Sequence, residues 1–318
     1  MSLTVDGNEP GAVDRTPPGA GRFAPSPTSD LHLGNLRTAL LAWLFARSTG
    51  RRFLIRIEDL DVARVAHDPT VADRQLADLA VLGLDWDPPV WRQSRRPEAY
   101  AAALDRLADD PGLYPCFCTR RDIARAASAP HAPAGAYPGT CRDLTPAQRA
   151  RRARDRPAAW RVRAGAATRT VTDLLHGPVS GVVDDFVVRR NDGAYAYHLA
   201  SVVDDLASGV DQVVRGEDLL DSSPRQAWLC DRLGGQAPTY AHVPLVLAAD
   251  GRRLAKRDGP VTLADLAGTG MRPPQVLGLL ATSLRMAEPG EPVTVGELLT
   301  RFDPAALPRQ PWRVPDRF

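Results

Sequence analysis

The sequence predicts an α/β protein whose main sheet is largely parallel, is built from two halves separated by an insertion, and is closed by C-terminal helices. Three observations carry this prediction. A strand, loop, helix, strand pattern opens the ordered part of the chain, a stretch at 111–160 rich in Cys, Pro, Ala and Arg breaks it, and alternating strand and helix signals return from residue 182. The 318 residues, 44% hydrophobic and 25% charged, are enough to bury one large or two smaller cores.

Taken in order, residues 1–20 hold Gly, Pro, Asp and Thr without periodicity and read as a disordered tail. Arg22-Phe23-Ala24-Pro25 is a strand ending in a Pro-Ser-Pro turn, and Leu33, Leu36, Leu40, Trp43 and Leu44 recur at helical spacing. Phe53-Leu54-Ile55-Arg56-Ile57 is mostly apolar, as a strand buried on both faces requires, so the unit is βαβ. Helices are expected over about 69–82 and 97–108. Beyond the insertion come regular structure over 182–189, a turn at Asn191-Asp192-Gly193, a helix from about Ala196, a strand at Val213-Val214-Arg215-Gly216, a helix from Pro224 and a last strand over 243–248. The remainder is mainly helical. The units are therefore 21–110 and 182–260 as the two halves of a Rossmann-like domain, 111–181 as the insertion and 261–318 as a helical segment, with ligands at the C-terminal ends of the strands.

The longest uninterrupted apolar run is the eight residues 39–46, well short of the roughly 18 a membrane span needs. Asp6, Glu9 and Asp14 argue against a signal peptide, and four cysteines against a disulfide scaffold, so a cytoplasmic protein with no membrane partner is expected. Net charge is +2, yet 111–170 carries twelve arginines against three aspartates. Such a run is often only a solvated face, but segmental asymmetry of this size favours a polyanionic partner. Of the 40 cationic residues a single one, Lys256, is lysine. In a chain that writes arginine at every generic position, the exception suits a place where a compact ammonium meets a phosphate.

The chemistry concentrates in two stretches. Arg22 to Thr28 runs into Leu31-His32-Leu33-Gly34-Asn35, where a strand feeds a helix N-terminus that can receive phosphate on free N–H groups and on the helix dipole. Gly34 lets the ligand approach the backbone, and His32 can donate to a phosphate oxygen as its charge grows. Far downstream, the Gly-bounded basic loop Gly251-Arg252-Arg253-Leu254-Ala255-Lys256-Arg257-Asp258-Gly259 can neutralise a leaving pyrophosphate. Taken alone, His32 is a capping or core histidine, and an arginine beside a strand end is a surface ion-pair partner.

Together the two stretches resemble the signatures of class I aminoacyl-tRNA synthetases. Arg22-Phe23-Ala24-Pro25-Ser26-Pro27-Thr28, Arg37-Thr38-Ala39-Leu40 and Arg56-Ile57-Glu58-Asp59-Leu60-Asp61 match the glutamyl branch, and the likeness covers about 21–315. The short remainder after Lys256, together with Cys116, Cys118, Tyr137 and Cys141, is similar to the glutamyl-queuosine tRNA(Asp) synthetase family, which lacks an anticodon-binding domain. The resemblance implies His32 and Lys256 as catalytic residues and ATP held by His32, Gly34, Asn35, Lys256 and Arg257. It implies L-glutamate held by Arg22, Phe23, Ala24, Pro25, Ser26, Glu58, Tyr197 and Arg215. Two arginines and one carboxylate are the minimal complement of an acidic amino acid: Glu58 suits the ammonium, Arg22 and Arg215 the carboxylates. Ser29 where glycine is usual, Asn35 in the histidine motif, and Arg253 and Ala255 in the downstream loop depart from the family's pattern. The last two bear on ATP affinity or loop closure.

On spacing alone, Cys116, Cys118 and Cys141 are either three buried unliganded thiols or, with Tyr137, a four-donor zinc site. The resemblance implies zinc, in a segment too poor in apolar residues to build its own core. Cys230, beside Trp228 and Leu229, reads as a core residue. The expected reaction is adenylation of glutamate by ATP, with Mg²⁺ on the phosphates and without tRNA, followed by transfer to queuosine in the anticodon loop of tRNA(Asp) by a monomer. The rivals are a truncated glutamyl-tRNA synthetase that esterifies the tRNA 3′ end and an inactive RNA-binding module.

Overall fold

The computed structural model describes residues 19–61, 65, 68–110, 112–119, 121–123, 137–252, 254 and 261–315. The strand expected near Gly21 is β1 (Ala20–Phe23), so the expected tail loses its last residue to the sheet; residues 1–18 lie outside the description. A loop leads into α1 (Leu33–Arg47), and β2 (Arg52–Ile57) returns beside β1 in parallel. Nearly every residue of α1 from Leu33 to Ala46 is buried, because the helix is covered on one side by β1, β2 and β9 (Val210–Gly216) and on another by the C-terminal segment. Gly21 permits this packing: a Cβ there would lie 2.9 Å from that of Ala46.

The remaining elements are α2 (Val71–Val81), β3 (Trp91–Arg92), α3 (Pro97–Asp109), β4 (Leu113–Cys116), α4 (Pro146–Asp155), β5 (Ala159–Val162), β6 (Ala167–Asp173), β7 (Gly177–Val183), β8 (Val187–Arg189), α5 (Tyr197–Ser208), α6 (Ser223–Arg232), β10 (Thr239–Val243), β11 (Val246–Leu247), α7 (Leu263–Gly268), α8 (Pro273–Ser283), α9 (Val295–Arg301) and β12 (Trp312–Arg313). The large sheet has the order β3-β2-β1-β9-β10-β6-β7, parallel except for β7, and the two halves meet where β1 lies beside β9. That junction is where an open α/β sheet leaves a crevice at its carboxyl edge.

Three expectations need correction. The insertion does not extend to 181: β6 and β7 form the edge of the large sheet, and α6 packs on them. Residues 182–189 are not one stretch, because β7 ends at Val183 and β8 joins β4 and β5 in a separate antiparallel sheet. The division falls at Asp185, a buried carboxylate that accepts from Tyr114 Oη and Arg142 Nε at 2.6 Å each and from the Ala164 N–H at 2.9 Å. The last strand, expected over 243–248, is broken after Val243 by Pro244, which has no N–H for a ladder; β11 then pairs with β12.

Candidate active site and cysteine cluster

A cavity of about 610 Å³ opens at the carboxyl ends of β1, β2, β9 and β10. The stretch 22–26 lines it, as do His32, Gly34, Asn35, Glu58, Tyr197 and Arg215, so residues read from five separate stretches of sequence meet at one place. Lys256 and Arg257, with Arg253 and Ala255, lie outside the described residues. Their flanks do not: Leu254 lines the cavity, the Val261 carbonyl accepts from the Leu33 N–H at 2.8 Å, and Thr262 bridges to His32.

His32 is the N-cap of α1. Its Nδ1 accepts from the backbone N–H groups of Gly34 and Asn35 at 3.0 and 3.3 Å, and Asn35 Oδ1 accepts in return from the His32 N–H at 3.2 Å. The capping role of an isolated histidine therefore holds here too, and it fixes the tautomer: a neutral ring whose Nδ1 accepts carries its hydrogen on Nε2. Burial holds the ring's pKa below its usual value, against the pull of its backbone hydrogen bond. The free N–H groups expected at this helix start are taken, by Val261 and by the His32 ring, so Nε2–H and the helix dipole are what remain for a phosphate. Gly34 serves the cap itself, since a Cβ would lie 2.8 Å from His32 Cε1. The 26–29 loop is pinned by Gln75 of α2, whose Nε2 donates to the carbonyls of Ser26 and Ser29 at 3.2 and 2.7 Å.

The charged residues sit in a buried network. Arg22 Nε donates to Asp205 Oδ1 at 3.4 Å, and Arg56 pairs with the same carboxylate and with Glu58 at 3.0 Å. Asp204, beside it, accepts from Arg96 Nε at 2.6 Å, Tyr100 Oη at 2.8 Å and Gln93 at 3.1 Å. Burial raises the Glu58 carboxyl above its ordinary pKa despite Arg56 and Arg22, so a cationic ligand would recover much of the cost of keeping it ionised. Burial alone would depress Arg56, but Asp205, Glu58 and Asp204 raise it. Arg22 thus has a resident counter-ion. Arg215 differs: its five N–H groups go to His242 Nε2, Tyr197 Oη, Gln226 Oε1, the Leu219 carbonyl and Ser223 Oγ, none of them a carboxylate.

The insertion brings its four donors together. The three cysteine sulfurs lie within 4.8 Å of one another, Cys118 and Cys141 are 3.6 Å apart, and Tyr137 Oη is 3.3 Å from Cys116 and 3.8 Å from Cys118. A tetrahedral ion with Zn–S bonds of about 2.3 Å separates its ligands by roughly 3.8 Å, so the spacing fits zinc. Burial and the neighbouring Cys116 push the Cys118 thiol up to about 12. Burial likewise raises Tyr137, whereas burial of Cys141 is outweighed by the Phe117 backbone, Tyr137, Cys118 and Arg152, which lower it. A dry nest of crowded donors is one a cation would relieve. Cys230 lies in the core with Trp228 and Leu229, as expected.

The basic run is partly structural. Arg161 is buried on the Asp185 carbonyl, Arg163 donates to Asp143 and the Arg142 carbonyl, and Arg152 donates to Cys141. Arg151 and Arg154 stand exposed on α4, which buries no residue.

Sequence reasoning placed Arg56 in a strand and a motif without giving it a role, and missed Gln75, Asp173, Asp205, Gln226 and His242. Period-two alternation could have found that role, since Arg56 shares a strand face with Glu58. The others come from distant segments and leave no local signal.

Residues 20–313 match the family described as tRNA synthetases class I (E and Q), catalytic domain. The chain is 61% identical to the glutamyl-Q tRNA(Asp) synthetase of Nocardia farcinica over 94% of each chain. It is 49% identical to the protein of the same name from Symbiobacterium thermophilum, over 93% of this chain and 95% of that one. Among solved structures, it superposes on a glutamate–tRNA synthetase from Elizabethkingia anophelis with a TM-score of 0.80 at 27% identity, covering 94% of this chain and 68% of that one. A glutamate tRNA ligase from Elizabethkingia meningosepticum, solved with its amino acid, gives a TM-score of 0.78 at 27% identity and 93% and 66% coverage. Fold, motif placement and relatives agree: this chain belongs to the glutamyl and glutaminyl branch of the class I tRNA synthetases.

Proposed function

We propose that the protein activates glutamate with ATP and transfers the glutamyl group to queuosine in tRNA(Asp), a reading that the name of its relatives, glutamyl-Q tRNA(Asp) synthetase, supports. The observation that carries this reading is the meeting of Arg22, Glu58, Tyr197 and Arg215 with the capped His32 in one cavity. Glu58 takes the substrate ammonium, and Arg22 and Arg215 the carboxylates. The α-carboxylate attacks the α-phosphorus of ATP, pyrophosphate leaves, and His32 Nε2–H donates to oxygens whose charge grows in that step. Gly34 and Asn35 line the ATP side, and Lys256 with Arg257 neutralises the departing pyrophosphate, on a segment flanked by Leu254, which lines the cavity, and by Val261 and Thr262, which meet the α1 N-terminus. A nucleophile on the modified base then attacks the carbonyl of the mixed anhydride and releases AMP. ATP is a substrate, with Mg²⁺ accompanying its phosphates.

Zinc is held by Cys116, Cys118, Tyr137 and Cys141 and acts as a structural clip. Arg151 and Arg154 meet the RNA backbone. One chain contains all of these residues, so a monomer suffices, and the cytoplasm is the compartment that supplies ATP and tRNA. Among the described residues no helix is long and apolar enough to cross a membrane. The test follows labelled glutamate: pyrophosphate exchange without tRNA, then loading of tRNA(Asp) with and without queuosine. Loading confined to the queuosine-containing tRNA is expected. No exchange, equal loading of both, or label on the 3′ adenosine of tRNA(Glu) overturns the reading.

A further inference from the structure

Arg215 and His242 occupy opposed positions on the adjacent strands β9 and β10, with Arg215 Nε 2.9 Å from His242 Nε2. A guanidinium only donates, so Nε2 must present its lone pair. A neutral imidazole then carries its hydrogen on Nδ1, which lies 2.6 Å from Asp173 Oδ2 at the end of β6. Asp173 is itself fixed. Its Oδ1 accepts the N–H groups of Leu175 and His176 at 2.8 and 2.9 Å, and its Oδ2 also accepts the His242 N–H at 3.1 Å. Asp173, His242 and Arg215 are buried. Burial first, with Arg215 adding to it, holds the imidazole below its usual pKa although Asp173 pulls the other way, which is consistent with a neutral ring.

We infer that Asp173 and His242 are positioning residues: by fixing one imidazole tautomer they aim the Arg215 guanidinium at a carboxylate of the amino-acid substrate. The inference rests on the glutamate-binding reading above and deepens it. The alternative tautomer would set Nε2–H against the Arg215 Nε–H, and the arginine would have to turn away. All of Arg215's resident partners are weaker acceptors than a carboxylate, so a substrate carboxylate can replace one, such as Tyr197 Oη, without breaking an ion pair.

Asp173→Asn is the sharp test because it conserves size. The N–H groups of Leu175 and His176 claim the amide oxygen, which leaves the NH2 facing the imidazole and favours the wrong tautomer. In pyrophosphate exchange the KM for glutamate should rise about tenfold or more, the loss of a hydrogen bond to a charged group, with the KM for ATP within about twofold. His242→Ala should act likewise, and His242→Gln, whose amide oxygen can stand near the Nε2 position, should restore most of the affinity. An unchanged glutamate KM in Asp173→Asn and His242→Ala, or equal rises in both KM values, overturns the inference. Nitrogen NMR of histidine-labelled protein tests it independently of catalysis: His242 should show a hydrogen on Nδ1 and a bare Nε2, reversed in Asp173→Asn. A hydrogen on Nε2 in the parent overturns the positioning pair. A parent with the expected tautomer and no glutamate exchange overturns the glutamate reading instead.

Discussion

The cleft and the cysteine insertion hold their polar groups by opposite means. In the cleft, Arg22, Arg56, Asp204 and Asp205 are carried on strands and helices, and Glu58 directly follows β2, all backed by the largest apolar cluster and by a second one around Tyr100 and Trp228, so the scaffold exists without the charges. In the insertion, the buried cluster is Tyr114, Cys116, Phe117, Tyr137 and Cys141. Three of those five are the proposed metal ligands. The cleft is a scaffold that aims charges; the insertion is a small fold whose donors are its core, so a metal bound there would be part of its folding energy. Damage to the first should change chemistry or global stability, and damage to the second should stay local.

The largest expected effect is on the charge network. Arg56→Met leaves buried Glu58 without its ion pair and Asp205 with Arg22 alone, and should cost about 3–5 kcal/mol of unfolding free energy, read by urea denaturation. A cost below about 1 kcal/mol would mean that water enters the network. Next comes Lys256→Ala, for which pyrophosphate exchange should fall on the order of 100-fold with the melting temperature and zinc content unchanged. Exchange equal to the parent's would remove the downstream loop from the mechanism.

The insertion should separate from the cleft in the metal experiment. The purified protein should hold about one zinc per chain, Cys141→Ser should lose most of it, and Cys230→Ser should keep it. Exchange by Cys141→Ser should remain within a few-fold of the parent while hydrogen exchange speeds up around 112–119 and 137–163. Collapse of the whole melting transition would erase the distinction between the two regions. Smaller still, Arg151→Ala and Arg154→Ala should each weaken tRNA loading a few-fold and flatten its salt dependence by about one unit of slope, leaving adenylation untouched.

The smallest effect is on pH. Burial holds His32, His198 and His242 below their usual value, and for His198, with Arg225 and Arg215 adding to it, the result is about 4. The unfolded chain takes up these protons near 6.5 while the folded chain does not, so stability is level above that pH and falls as pH drops from about 6.5 toward 4. His198→Gln should make that fall shallower in melting curves. A transition that rises on acidification through this window would mean that the rings gain protons on folding.

The strand–loop–helix opening and His32 were legible in a local pattern, Glu58 and Arg215 in residue types that suit an acidic amino acid, and Tyr197 only through the family resemblance; all four residues line one cavity. What holds them was not legible. Asp205 reaches Arg22 across 183 positions and Asp173 reaches His242 across 69, and neither carboxylate sits in a motif. Proximity of that kind is produced by sheet order, which local periodicity does not encode. The insertion boundary was misplaced for the same reason: β6 and β7 alternate like any exposed hairpin, and only β10 beside β6 shows which sheet they join. At His32 the capping reading holds through Nδ1, and Nε2–H is left for the phosphate contact proposed above.

The place of Asp173 sets a rule for recombining such enzymes. The 167–183 hairpin follows the cysteine-bearing segment in the chain, so a swap of cysteine-bearing modules between homologues drawn on sequence would carry it along. On the reading proposed above, a chimaera cut near 183 would import a foreign carboxylate behind the host's amino-acid site, whereas one cut near 165 would keep the host's Asp173 and leave the host's β8 to pair with the exchanged β5.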